Sequence, residues 1–223
     1  MTAAGVQSSP SGAVPAPATA RSAVAWLRLA RLYAVSRRIP AALGLLAALG
    51  GLLWAALYWR WNIAGGPAAQ QFFTLATETG AAAVIAVTTY GPFGEPERAT
   101  GRWLPRLRLA AALALTAAAF GALAAGATGG TLPGGMAALL RDLAGLTGTG
   151  LLAAAVLGGA FGWAGPMAYL LISETALGAG WTTPWIWPAR PPHDLGAALC
   201  AAAVFAAGLT VITVRGGRDR AGG

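Results

Sequence analysis

From Leu143 to Ser173 the chain runs without a single charged side chain, and Ala41 to Tyr58 repeats the pattern. Uncharged apolar runs of 18 or more residues are the length of membrane-crossing helices, because a hydrocarbon core is about 30 Å thick and a helix rises about 1.5 Å per residue. Leu143–Ser173 as one helix would reach about 47 Å, too long for one straight span. The glycines and proline of GGAFGWAGP, Gly158 to Pro166, supply the break that divides it. Composition agrees: 57% of the residues are hydrophobic and 10% charged, where a soluble domain is about one-quarter charged. The expected fold is therefore all-α, a polytopic bundle of six transmembrane helices preceded by an amphipathic helix in the membrane interface.

The six spans are expected near residues 41–58, 72–90, 109–127, 143–163, 167–180 and 195–214, within a transmembrane domain covering 21–220. Pro40 sits at the start of the first span, where its missing N–H costs least, and Trp54, Trp59 and Trp61 mark the far end at headgroup level. Residues 1–20 are Ala, Pro, Ser and Gly without a charge. They read as a disordered cytoplasmic tail, and they lack the basic start and continuous apolar stretch of a signal peptide. In SAVAWLRLARLYAVSRRI, Ser22 to Ile39, Trp26, Leu29, Leu32, Tyr33 and Val35 alternate with Arg28, Arg31, Arg37 and Arg38. That pattern fits either an interfacial amphipathic helix or a plain basic flank to the first span.

All 15 basic residues are Arg. With an even number of spans, the 12 Arg at 21, 28, 31, 37, 38, 98, 102, 106, 108, 215, 218 and 220 share one side, and Arg60, Arg141 and Arg190 face the other. The positive-inside rule then puts both termini in the cytoplasm. A net charge of +8 raises nucleic acid as a partner, but these Arg flank apolar runs instead of forming one solvated face interleaved with aromatics, so nucleic acid is not expected.

Catalytic and metal-binding constellations are not visible, and neither an enzyme nor a cofactor is expected. The lone His193 lies in a Pro-rich loop without partner ligands nearby, and Cys200 reads as a small hydrophobe. The nucleophile elbow G-x-S-x-G and the P-loop G-x-x-x-x-G-K-[ST] do not occur, so ATP energy, if used, comes from another polypeptide. The intramembrane acids Glu78 and Glu174 are the functional candidates, since an ionised acid at membrane depth is costly and usually faces a bundle interior or a water-filled cavity. Each has a structural alternative, near a span end or protonated and hydrogen-bonded. Gly145, Thr147, Gly148, Thr149 and Gly150 point to close helix packing ahead of substrate contact.

Taken in order, SRRIPAALGLLAALGGLLW, GPFGEPERATGRWLPRLRLA, LRDLAGLTGTGLL and WTTPWIWPARPPHDLGAAL followed by VRGGRD resemble the actinobacterial ABC-2 type permeases, the membrane subunits of ATP-binding cassette exporters. The resemblance covers roughly Arg21 to Asp219, and GPFGEPER is its most distinctive part. It implies a permease subunit in the bacterial plasma membrane, paired as a homo- or heterodimer with a second permease. A separate cytosolic ATP-binding subunit would drive outward transport. In that family the loop after the second span contacts the ATPase, which here falls on Glu95, Glu97, Arg98 and Arg102. Two other classes stay open: an ion-coupled carrier with Glu78 or Glu174 as its proton site, and a non-transporting membrane scaffold or sensor subunit.

Overall fold

The computed structural model describes residues 38–59, 66–89, 104–180 and 183–215, all of which belong to one compact unit, Ala34–Gly223. The proposed N-terminal tail and interfacial helix, and the loop carrying Glu95, Glu97, Arg98 and Arg102, lie outside the described residues. Among those described there are no strands. Within the described residues six α-helices follow one another: α1 Ile39–Tyr58, α2 Gly66–Thr88, α3 Leu104–Gly126, α4 Gly135–Leu157, α5 Ala164–Gly178 and α6 Leu195–Arg215. Short 3-10 turns at Ala127–Gly129, Gly159–Phe161 and Trp187–Ala189 lie in the connections.

Ile39–Tyr58, Pro105–Gly129, Gly135–Leu157 and Leu195–Val214 are long and apolar enough to cross a membrane. Three of these four stretches are only 22–28% buried over their most apolar windows. Leu45, Leu171, Leu195, Leu199 and Val214 are more than half exposed. Water would penalise such a surface at about 25 cal/mol per Å² of apolar area, whereas lipid does not. The chain is thus an all-helical membrane protein. Helix α2 does not join the four, because Gln70, Gln71 and Glu78 interrupt its apolar run. Helix α5, with 15 residues, reaches about 22 Å and is shorter than a hydrocarbon core.

Each helix sits where its pattern allows. On α1 the buried residues Ala42, Leu46, Gly50, Leu53 and Leu57 recur every three or four positions and form one stripe. They join Ala81 and Ile85 of α2, Leu115, Ala119 and Leu123 of α3, and Leu139 and Leu143 of α4 in a first core. A second core gathers Leu75 and Ala82 of α2, Leu146 of α4, Tyr169 and Leu170 of α5, Trp187, and Ala197 and Ala201 of α6. Helices α2 and α4 belong to both cores. With 67% of its most apolar window buried, α4 is the central helix.

Close approach to α4 depends on its glycines. A Cβ on Gly148 would stand 2.6 Å from the backbone of Val204 and Phe205, and one on Gly208 would stand 2.7 Å from the Gly148 carbonyl oxygen. Helices α4 and α6 therefore meet backbone to backbone. Gly145 lies directly beneath the indole of Trp187, leaving no room for a side chain. Helix α4 ends at Leu157, and Gly158, at φ 100°, turns the chain toward α5. At its other end α4 begins eight residues before the expected fourth span (143 − 135 = 8), so it takes in Arg141 and Asp142.

Candidate functional site

The helices alternate in direction. Gly129 and Gly130, after α3, lie against Trp54 and Leu57 at the end of α1. The Gln70 amide of early α2 donates to the Thr131 carbonyl at 2.5 Å. Leu177 near the end of α5 shares a cavity wall with Pro133 and Gly134 before α4 and with Pro188–Pro192 before α6. One end of the bundle therefore gathers the ends of α1, α3 and α5 with the starts of α2, α4 and α6. The opposite end carries Arg38, Arg106, Arg108 and Arg215.

At the first end a cavity of about 390 Å³ opens between α2, α4 and α5. Gln71, Thr74, Leu75 and Glu78 of α2, Ala138, Arg141 and Asp142 of α4, and Leu177 of α5 form its walls, completed by the loops 133–134 and 188–192. Spacing on α2 explains its share: residues 71, 74, 75 and 78 are three or four apart and lie on one helical face. The same geometry puts Ala138 and Arg141 on one face of α4.

Most polar groups of this pocket already have partners. Arg141 Nε donates to Asp142 Oδ1 at 2.8 Å, with the two side chains 4% and 10% exposed. Arg141 Nη1 donates to the Pro191 carbonyl at 2.8 Å, and Nη1 and Nη2 reach the Arg190 carbonyl at 3.5 and 3.4 Å. One guanidinium thus neutralises its neighbour on α4 and fastens the 188–192 loop over the helix end. Arg190 donates through Nε to Asp194 Oδ2 at 2.7 Å. Asp194 Oδ1 accepts the Ala197 N–H at 3.0 Å, which caps α6. The Ala197 N–H first, and Arg190 after it, hold the Asp194 carboxyl below the ordinary carboxylate range. Gln71 Nε2 donates to the Pro188 carbonyl at 3.3 Å. Thr74 and Thr77 turn their hydroxyls back to the carbonyls of Gln70 and Thr74 at 3.0 and 2.8 Å.

Glu78 is the exception. Its side chain is 2% exposed, Oε2 has no hydrogen-bond partner, and the charged groups that act on it are Asp142 and Arg141. Two carboxylates therefore share this pocket with the Arg141 guanidinium, whose donors are directed at Asp142 and at loop carbonyls, while Arg190 at the cavity wall is paired with Asp194. A buried acceptor without a donor costs about 1–3 kcal/mol, so the arrangement favours a proton or a cation beside Oε2.

Behind the loop, Trp187 stacks on Tyr169 with ring centroids 4.3 Å apart, and the Tyr169 hydroxyl donates to the Trp185 carbonyl at 2.8 Å. The Trp- and Pro-rich segment is thus folded into the bundle, with Ile186, Trp187 and Pro188 buried.

The two acids singled out in the sequence are separated. Glu78 lines the pocket, while Glu174 on α5 is not among its lining residues, although its Oε1 is also buried without a partner. Sequence reasoning missed Arg141, Asp142, Gln71 and Arg190 as members of the site. The adjacent Arg-Asp pair was the available signal, since two opposite charges side by side can enter a helix interior as a neutral unit. His193 is exposed in the loop, and the described residues hold no group of three or more His, Cys, Asp or Glu arranged for a metal.

Fold and site together define a helical membrane protein with an acid-bearing pocket at one end of its bundle. Set against protein-family models, curated proteins and solved structures, the chain matches none.

Proposed function

We propose that this chain is the transmembrane permease subunit of an ATP-driven exporter of the ABC-2 type, working with a separate cytosolic ATPase. The resemblance of GPFGEPER and the segments around it carries this reading, and the sorting of Arg between the two ends of the bundle agrees with the orientation it expects. Among the described residues, Arg38, Arg106, Arg108 and Arg215 flank the helices at one end, and Arg141 and Arg190 lie at the other, beside Asp142 and Asp194. Such a skew favours the end with Arg38 and Arg215 on the cytoplasmic side of a bacterial plasma membrane. The loop between α2 and α3 then emerges toward the cytosol, and its Glu95, Glu97, Arg98 and Arg102 become available to a partner. Six spans, with α2 crossing under cover of the other helices and α5 crossing against α2 and α4, fit the same orientation, and both termini are cytoplasmic. Two such subunits, identical or different, would rock between inward- and outward-open states as the ATPase cycles.

Affinity purification in mild detergent from the native host tests this. A stoichiometric ATP-binding cassette subunit should co-purify and be lost when Glu95 and Glu97 are both replaced by Arg. Its reproducible absence from intact protein sinks the proposal.

A second reading, an ion-coupled carrier, is favoured by the buried unpartnered carboxylate of Glu78. Transport that continues without any ATPase and collapses with the proton gradient would select it.

A further inference from the structure

The pocket beside Glu78 has a definite chemical preference. Its donors are committed: Arg141 to Asp142 and to the Pro191 and Arg190 carbonyls, Arg190 to Asp194, Gln71 to the Pro188 carbonyl, and Thr74 to its own helix. Its one fully buried side-chain atom without a partner is an acceptor, Glu78 Oε2, on a residue 2% exposed at the cavity wall. An incoming anion would meet two carboxylates and no guanidinium directed at it. A neutral molecule would leave the acid uncompensated. A ligand that brings positive charge and N–H donors satisfies Oε2 without requiring Glu78 to hold a proton.

The remaining walls add a second requirement. Leu75, Ala138, Leu177, Pro133, Pro188 and Pro192 present hydrocarbon to the cavity, and its volume of about 390 Å³ lies within the range of small-molecule pockets, about 300–1,000 Å³. A bare inorganic cation would leave this apolar surface uncovered and would need several more oxygen ligands than Glu78 supplies.

We propose that the cavity between α2, α4 and α5 is a binding site for a small organic cation, an ammonium- or amidinium-bearing molecule with an apolar body, and that Glu78 is its counter-ion. The charged head lies at Glu78 Oε2, and the body lies against the leucine and proline walls toward the bundle end. Asp142 is not the counter-ion, because Arg141 already holds it. This site does not depend on the energy source, so it stands or falls apart from the permease reading.

The test uses full-length protein in lipid nanodiscs without any ATPase, at pH 8, with three probes that share one body: 2-phenylethylammonium, 2-phenylethanol and phenylacetate. Equilibrium dialysis against empty nanodiscs removes the contribution of lipid partitioning. Saturable binding of the ammonium probe is expected, at least tenfold tighter than the alcohol, with no saturable binding of the carboxylate. Glu78→Gln keeps the shape and should weaken the ammonium probe at least tenfold without weakening the alcohol. Ala189→Trp, on a half-buried turn residue at the cavity wall, keeps Glu78 and should abolish binding by obstruction. Failure of the ammonium probe to bind wild-type protein, or binding equal to that of the alcohol, overturns the proposal. So does ammonium binding that survives Glu78→Gln unchanged.

Discussion

Replacing Arg141 with Met removes the buried cation beside Asp142 while keeping an unbranched side chain of similar length. In the wild type the Arg141 and Asp142 side chains are 4% and 10% exposed, with Nε and Oδ1 2.8 Å apart. Breaking a buried pair by deleting one partner costs about 3–5 kcal/mol, because the remaining charge is left without compensation. Here the remaining Asp142 also faces Glu78, and the Pro191 carbonyl loses a donor at 2.8 Å. The expected loss is therefore at the upper end, about 4–5 kcal/mol, a large share of the 5–15 kcal/mol of a typical domain. The double variant Arg141→Met/Asp142→Leu removes both charges and should recover most of that loss, since apolar replacement of a buried pair is often neutral or stabilising. Reversible unfolding in mixed dodecylmaltoside and SDS micelles, followed by tryptophan circular dichroism, measures both. A single variant that loses under about 1 kcal/mol, the behaviour of an exposed pair, would refute the buried-pair reasoning. A double variant no more stable than the single would refute it as well.

Gly148→Ala should destabilise the α4–α6 contact by about 1–3 kcal/mol through overpacking, whereas Gly44→Ala, whose Cβ meets nothing within 4 Å, should be neutral or stabilising by up to about 1 kcal/mol; the same micelle titration compares them. Tyr169→Phe deletes the hydrogen bond to the Trp185 carbonyl and should cost about 0.5–1.5 kcal/mol, with faster amide hydrogen exchange in residues 185–190 as its local signature. Asp194 has its carboxyl held below the ordinary range in the folded protein. Its contribution to stability is therefore full above about pH 4, the unfolded value, and is lost as pH falls through the lower folded value. Melting temperature measured against pH should drop in acid for the wild type, and Asp194→Asn should lose this part of the slope.

What the sequence made legible follows from physics that is local to each helix. Uncharged runs predict α1 and α6 because the whole span of each is apolar, and the Gly145–Gly150 stretch points to tight packing because small side chains admit a neighbouring backbone. Two features were not legible. Arg141 and Asp142 read as a flank ahead of the fourth span, since isolated charges are expelled from hydrocarbon, yet the adjacent pair is neutral overall and enters the helix. Residues 181–194 read as an interfacial loop from their Trp and Pro content, and nothing local says that Trp187 finds a flat bed on Gly145, 42 positions earlier in the chain (187 − 145 = 42).

The location of the pocket has a rationale in the unequal hydropathy of the six helices. Helices α1, α3 and α6, which are uncharged apart from Arg near a terminus, contribute no lining residue, whereas α2, α4 and α5 supply all the helical ones. These last three are respectively interrupted by polar side chains, charged near its start and too short to span a full hydrocarbon core. A membrane helix can carry Gln71, Glu78 or Arg141 only where other protein covers them, because lipid offers no hydrogen-bond partners. Helix α2 is therefore enclosed by α1, α3, α4 and α5, and polar side chains of α2 and α4 are left facing one another across the cavity. For a chain of this kind, the helix whose apolar run is broken by polar side chains is the first place to look for the site, and α2, with Glu78 at its middle, is that helix here.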